Sequence, residues 1–229
     1  MFDKEFTVQR DIVRFDKKEE FYSKKNDVAL FSFIDSRQQT KEWVVKKYCT
    51  GKTTKEKDIL NYLYEGGLAV PELIYAGENH LVLQYLKGVT LLEWLERQEQ
   101  HYEIGHASRQ TIVNWADWFL LCYSLLEKAY GESMILGDVN WRNFILAETI
   151  YGLDFEDCRI GKREEDIGCL CAFALTYNPS FTPWKLKLVA VIQDVFEDKL
   201  SLSSTLISRE MNKELSRMQE RRDSKLLLH

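Results

Sequence analysis

Ile135-Leu136-Gly137-Asp138-Val139-Asn140-Trp141-Arg142-Asn143-Phe144-Ile145-Leu146, followed after a short break by Ile150-Tyr151-Gly152-Leu153-Asp154-Phe155-Glu156, decides how this chain is read. Asp138 and Asn143 stand five positions apart in a loop, and Asp154 follows after one short apolar segment. Three oxygen-bearing side chains at this spacing suit phosphoryl transfer. One carboxylate accepts the proton of the attacking hydroxyl, an amide oxygen ligates a metal ion, and a second carboxylate holds Mg²⁺ against nucleotide phosphates. Asp138, Asn143 and Asp154 fit those roles in that order. The apolar runs 143–146 and 150–153 read as two short strands of a hairpin, which would deliver Asn143 and Asp154 to the same rim.

Gly-Asp-x-x-x-x-Asn followed by Asp-Phe-Glu resembles the protein-kinase-like superfamily, in its aminoglycoside phosphotransferase and choline kinase branch. The resemblance runs from about residue 20 to about residue 175. It implies an α+β fold of two lobes: a small antiparallel-sheet lobe with one helix over residues 1–84, a hinge over 85–89, and a mostly helical lobe over 90–229. It also implies ATP and Mg²⁺ as cofactors. A Gly-Asp turn and a Leu-Asp strand end can each arise by chance, so the context of the motif has to agree with it.

Upstream, three segments rich in β-branched and aromatic residues between 21 and 49 read as a meander. The break between the first two, 23–27, falls where kinases cover the ATP phosphates, and no glycine occurs before Gly51. Bare backbone for close approach to phosphate is therefore not encoded there. Lys24 and Lys25 could contact phosphates, although paired lysines in a turn are usually just solvated. Val44-Val45-Lys46-Lys47-Tyr48 resembles the kinase strand whose lysine bridges the α- and β-phosphates and pairs with a glutamate of the next helix. Lys46 is the expected lysine, since period-two alternation separates it from Val45 and Lys47. Glu56 lies one turn before Leu60 on the following helix, which points it inward toward Lys46. Gly51-Lys52-Thr53 imitates half a P-loop, but the place of its first glycine is held by Lys46, so the triphosphate cradle is missing.

Two more strands, around 70–77 and 80–86, complete the small lobe. Gln84, Tyr85 and Leu86 resemble the hinge whose backbone groups meet the adenine edge. The periodicity then becomes helical. Leu91, Leu92 and Leu95 share one face, and Ile112, Trp115, Ala116, Phe119, Leu120, Tyr123 and Leu126 form a longer stripe. Beyond Asp154 only residues 155–165 precede Asp166, which resembles the structural aspartate that caps the catalytic loop. There is no room for a long activation segment and no Ala-Pro-Glu. Arg159, Lys162 and Arg163 could meet an anionic acceptor or form a solvated charge run. Ile207, Met211, Leu215 and Met218 give the last helix an apolar stripe.

Composition sets the outer bounds. At 229 residues with 45% hydrophobic content the chain can bury a core, and its net charge of −5 argues against nucleic acid as a partner. Five cysteines without a Cys-x-x-Cys pair are expected to be buried thiols. The N-terminal residues lack an apolar core for a signal peptide, and no apolar run spans a bilayer, so the expectation is a cytoplasmic protein without membrane contact. The expected activity is transfer of the γ-phosphoryl group of Mg·ATP to the hydroxyl of a small-molecule acceptor. Two alternatives stand beside it: an atypical serine/threonine protein kinase with a protein substrate, and a nucleotide-binding pseudokinase acting through interactions.

Overall fold

The computed structural model describes residues 6, 10–23, 25–49, 54–101 and 103–226. Lys24 and the Gly51-Lys52-Thr53 segment lie outside them. The chain divides into two compact units, Met1–Lys87 and Gly88–His229, the first built on an antiparallel sheet and the second mostly helical.

Five strands make the first unit's sheet: β1 (Ile12–Phe21), β2 (Asn26–Asp35), β3 (Thr40–Tyr48), β4 (Leu73–Ala76) and β5 (His80–Gln84), in the order β1-β2-β3-β5-β4 with antiparallel pairing throughout. β1 begins well before the segment expected from the sequence. Its run Asp16-Lys17-Lys18-Glu19-Glu20 hides the strand because it lies at the sheet edge, where charge and two register shifts discourage pairing with another chain. Along β3, Trp43 and Val45 are buried on one face with Phe33, Val82 and Phe6. Lys46 and Tyr48 fall on the opposite face, and Lys47 is exposed. Helix α1 (Thr54–Glu65) buries Glu56, Ile59, Leu60 and Leu63 along one side. It stops where Leu68 N–H closes on the Leu63 carbonyl and Gly67 takes the left-handed conformation, φ 80°.

In the second unit β6 (Val89–Thr90) leads into α2 (Leu91–Gln98), whose start is fixed by a reciprocal cap between Thr90 and Glu93. Helix α3 (His106–Tyr130) runs through the core, with Ile112, Trp115, Ala116, Phe119, Tyr123 and Leu126 buried. Leu120 departs from the expected stripe. It stands 41% exposed at the stripe's edge, and Trp118 and Cys122 are buried instead. Next come β7 (Met134–Ile135), a 3-10 turn (Trp141–Asn143), β8 (Phe144–Leu146), β9 (Ile150–Gly152) and β10 (Arg159–Ile160). β8 and β9 form the expected hairpin in the register Phe144↔Gly152, and β10 pairs with β7.

Helices α4 (Arg163–Thr176), α5 (Pro183–Leu200) and α6 (Ser204–Leu226) complete the unit. α6 crosses α4 at Gly168, where a methyl group would fall 2.6 Å from the Met211 backbone nitrogen. The five cysteines are free thiols, but Cys49 is exposed and Cys169 half-buried, which corrects the expectation that all are buried. No helix among the described residues is long and apolar enough to cross a membrane.

Candidate active site

Each unit carries one set of the residues singled out from the sequence. In the first unit, Lys46 Nζ lies 2.7 Å from Glu56 Oε2, and both side chains are nearly shut off from solvent. β3 supplies the lysine on the face opposite Trp43 and Val45, and the first turn of α1 supplies the glutamate. Tyr48, two residues past Lys46 and so on the same strand face, donates its hydroxyl to Glu56 Oε2, and its ring lies 5.1 Å from the Lys46 ammonium. The sequence reading did not single out Tyr48, although period-two alternation from Lys46 points to it. Of the hinge residues, Gln84 ends β5 with its N–H committed to the Glu72 carbonyl at 2.9 Å. Tyr85 and Leu86 follow in irregular, half-buried backbone.

The second unit holds Asp138, Asn143 and Asp154. Gly137 makes the turn into the loop at φ 80°, and a methyl group there would meet the Asp157 carbonyl oxygen at 2.5 Å. Only glycine satisfies both conditions. Asp166, at the head of α4 and fully buried, accepts the Leu136 N–H (2.7 Å), the Gly137 N–H (3.0 Å) and the Tyr123 hydroxyl (2.9 Å). Its carboxyl is pushed up to about 6, because burial outweighs the three donors and the Arg159 charge that favour ionisation.

Past Gly137, Asp138 Oδ1 accepts the Asn140 backbone N–H at 3.1 Å, and Asn143 donates its amide to the Asp138 carbonyl at 3.3 Å. With its nitrogen spent there, Asn143 keeps its carbonyl oxygen for a ligand. The Asn143 backbone carbonyl accepts the Leu153 N–H at 2.8 Å, which ties the start of the hairpin to the residue before Asp154. Asp154 itself is left-handed, φ 63°, an uncommon state for a residue with a side chain and one concentrated at functional sites. The Asp138 carboxyl is raised above the ordinary aspartate range. Burial is the main cause and the Asp154 and Asp157 charges add to it, against the Asn140 N–H and the Asn143 amide. A carboxylate raised in this way is better matched to proton abstraction near neutral pH.

The loop is also pinned from behind. Trp141 is fully buried, 4.9 Å from Trp115 ring to ring, and its indole N–H donates to the Leu170 carbonyl at 3.0 Å. Two of the three basic residues after Asp154 are held by carboxylates: Arg159 pairs with Glu165 at 2.9 Å, and Arg163 pairs with Glu127 at 2.6 Å beside the Tyr123 ring. Oxygen donors from one amide and one carboxylate are the ligand set Mg²⁺ takes when phosphates supply the rest, so Asn143 and Asp154 fit that ion.

No protein-family model matches the chain. It is 26% identical over 120 residues to the EKC/KEOPS complex subunit BUD32 of Encephalitozoon cuniculi, a match over 52% of this chain and 54% of that protein. The chain thus aligns with about half the length of that curated relative. Among solved structures it resembles the kinase PK-1 of Cydia pomonella granulovirus, with TM-score 0.50 and 13% identity over 67% of this chain and 56% of that one. It likewise resembles an ethanolamine kinase of Plasmodium vivax, with TM-score 0.51 and 14% identity over 86% of this chain and 71% of that one. At such identities the shared property is the fold, and that fold is protein-kinase-like.

Proposed function

We propose that the chain is an ATP-dependent phosphotransferase that moves the γ-phosphoryl group to a hydroxyl of a small molecule, in the manner of the aminoglycoside phosphotransferase and choline kinase branch. The observation that carries this reading is the loop itself. One turn holds Asp138 with a raised proton affinity and bonds the Asn143 amide nitrogen to the Asp138 backbone carbonyl, and the adjoining hairpin ends at Asp154. Asp138 takes the acceptor's proton as the acceptor oxygen bonds to the γ-phosphorus and the bond from that phosphorus to the β-γ bridging oxygen breaks. Asn143 and Asp154 would hold Mg²⁺, which when bound neutralises charge on the phosphate oxygens. Lys46, oriented by Glu56 and Tyr48, would bind the α- and β-phosphates, with the Tyr85 and Leu86 backbone, beside Gln84, toward the adenine. A small acceptor is favoured because residues 155–165 leave no room for a peptide platform before Asp166. A solved structure of this fold that the chain resembles is an ethanolamine kinase.

The match to a BUD32 subunit favours a second reading, in which the chain acts on protein or as part of a protein assembly. Labelled Mg·ATP offered with a panel of hydroxylated metabolites, and separately with generic protein substrates, separates the two. Transfer to a small alcohol is expected, and Asp138→Asn should lower its turnover by about 100-fold or more. Label found on protein alone would favour the second reading, and full turnover by the variant would remove Asp138 from the mechanism.

A further inference from the structure

Tyr177, the residue that ends α4, is not part of any motif in the sequence, yet its hydroxyl sits under the Asp138 loop. It donates to Asn140 Oδ1 at 3.0 Å and accepts the Trp141 N–H at 3.3 Å. Asn140 Oδ1 also accepts the Arg142 N–H at 3.0 Å, capping the turn that leads to Asn143, and the Asn140 backbone N–H holds Asp138 Oδ1. A single phenol thereby fixes the residue that fixes Asp138. Its own placement is rigid. The Tyr177 carbonyl accepts Lys185 Nζ at 2.8 Å, and Lys185, wholly buried on α5, is paired with Glu99 at 3.0 Å and also bonded to the Pro179 carbonyl. The ring stacks near Phe173 at 6.2 Å and 17°. Burial raises the phenol well above its ordinary range, so it remains a neutral donor.

We infer that Tyr177 is a positioning residue for the phosphoryl-transfer loop, setting the direction of Asp138 through Asn140. The inference rests on the phosphotransferase reading and deepens it. The buried Lys185–Glu99 pair would otherwise be a costly way to hold a loop after α4. Its location is explained if the Tyr177 backbone must stay fixed while the hydroxyl reaches the catalytic turn. Sub-ångström direction of a base matters to rate far more than to binding, because misplacement is felt chiefly in the transition state.

The test compares Tyr177→Phe, Asn140→Ala and the double variant on the acceptor found for the wild type. Tyr177→Phe keeps the ring and the Lys185 contact and removes only the hydroxyl. Its kcat should fall about tenfold, with the KM for ATP within about twofold. Asn140→Ala should act similarly, and the double variant should be no worse than the poorer single one, because both break one linkage. Hydrogen exchange should show faster exchange at the Trp141 and Arg142 amides with α4 unchanged. Unaltered kcat in Tyr177→Phe, a fall in KM-dependent binding alone, or single effects that multiply would each overturn the inference while leaving the phosphotransferase reading intact. A wild type that transfers phosphate to nothing would overturn both.

Discussion

The two halves of the candidate machinery are built on opposite principles. In the first unit a lysine and a glutamate bond each other directly in a nearly dry site, with the Tyr48 hydroxyl joining the glutamate. In the second unit no charged group among the described residues bonds Asp138 directly in this way. The loop is suspended by groups on α4 and at its end that reach it at several points: Asp166 at Leu136 and Gly137, Tyr177 at Asn140 and Trp141, Leu170 at the Trp141 indole. A direct buried ion pair concentrates its energy in one contact and fails when either partner leaves. A suspended loop spreads the load, so single losses should be graded and should appear in rate or pH dependence before they appear as unfolding.

The first way to break this comparison is Lys46→Met, for which the largest effect is expected. Methionine fills much the same volume but leaves the buried Glu56 carboxylate without its lysine. Loss of one member of such a pair should cost about 3–5 kcal/mol in unfolding free energy. Lys47→Met, one residue along but exposed, should stay within about 0.5 kcal/mol. Urea unfolding of the two variants decides the matter. Equal, small losses would mean that the pair is dispensable and that the first unit is as tolerant as the second.

That difference in construction also explains what the sequence disclosed. Lys46 and Glu56 were legible because strand and helix periodicities place them locally: alternation along Val44–Tyr48, and one helical turn between Glu56 and Leu60. The hairpin that joins Asn143 to Asp154 was legible for the same reason. β1 was not, because an edge strand that must repel other strands is spelled in charges, and Leu120 was assigned to the core because a leucine at the rim of a stripe satisfies helical spacing as well as one inside it. Tyr123 and Tyr177 meet their partners across 43 and 37 residues, and nothing near either of them marks the meeting. Such contacts are decided by how α3 and α4 pack, and packing has no short-range signature.

Asp166 offers a smaller and more discriminating effect. Its folded proton affinity, about 6, lies above the 3.8 of a free aspartate, so the native state binds a proton more readily than the unfolded chain. Stability from this group is therefore fully present below about pH 4 and is lost as pH rises through about 6. Asp166→Asn has no such titration. The wild type's advantage over the variant should grow as pH falls from neutrality, by about 1 kcal/mol at pH 5 and about 2 kcal/mol at pH 4. Paired urea titrations at the three pH values give the difference directly and cancel the contribution of other carboxylates. A constant gap would show that the three donors, rather than burial, govern Asp166 and that the loop is held by a permanently charged anchor like that of the first unit.

Tyr123→Phe should have the smallest effect and tests the sharing of load most closely. The change removes one of the three donors to Asp166 and keeps the ring against Arg163 and Phe119. With Leu136 and Gly137 still donating, the carboxylate remains bound and the loop stays in place. The loss at neutral pH should be about 1 kcal/mol, the usual net worth of a hydrogen bond, and well short of the Lys46→Met loss. The hydroxyl favours the ionised carboxylate, so its removal pushes the Asp166 proton affinity further above about 6. At pH 5 the wild-type carboxyl is mostly protonated and gains less from the hydroxyl, so the cost of the substitution should shrink there. Unfolding free energies at pH 7 and pH 5 measure both predictions. A loss as large as that of Lys46→Met would mean that one donor carries the whole anchor, and a loss unchanged between the two pH values would mean that Tyr123 supports the helix packing without sensing the charge on Asp166.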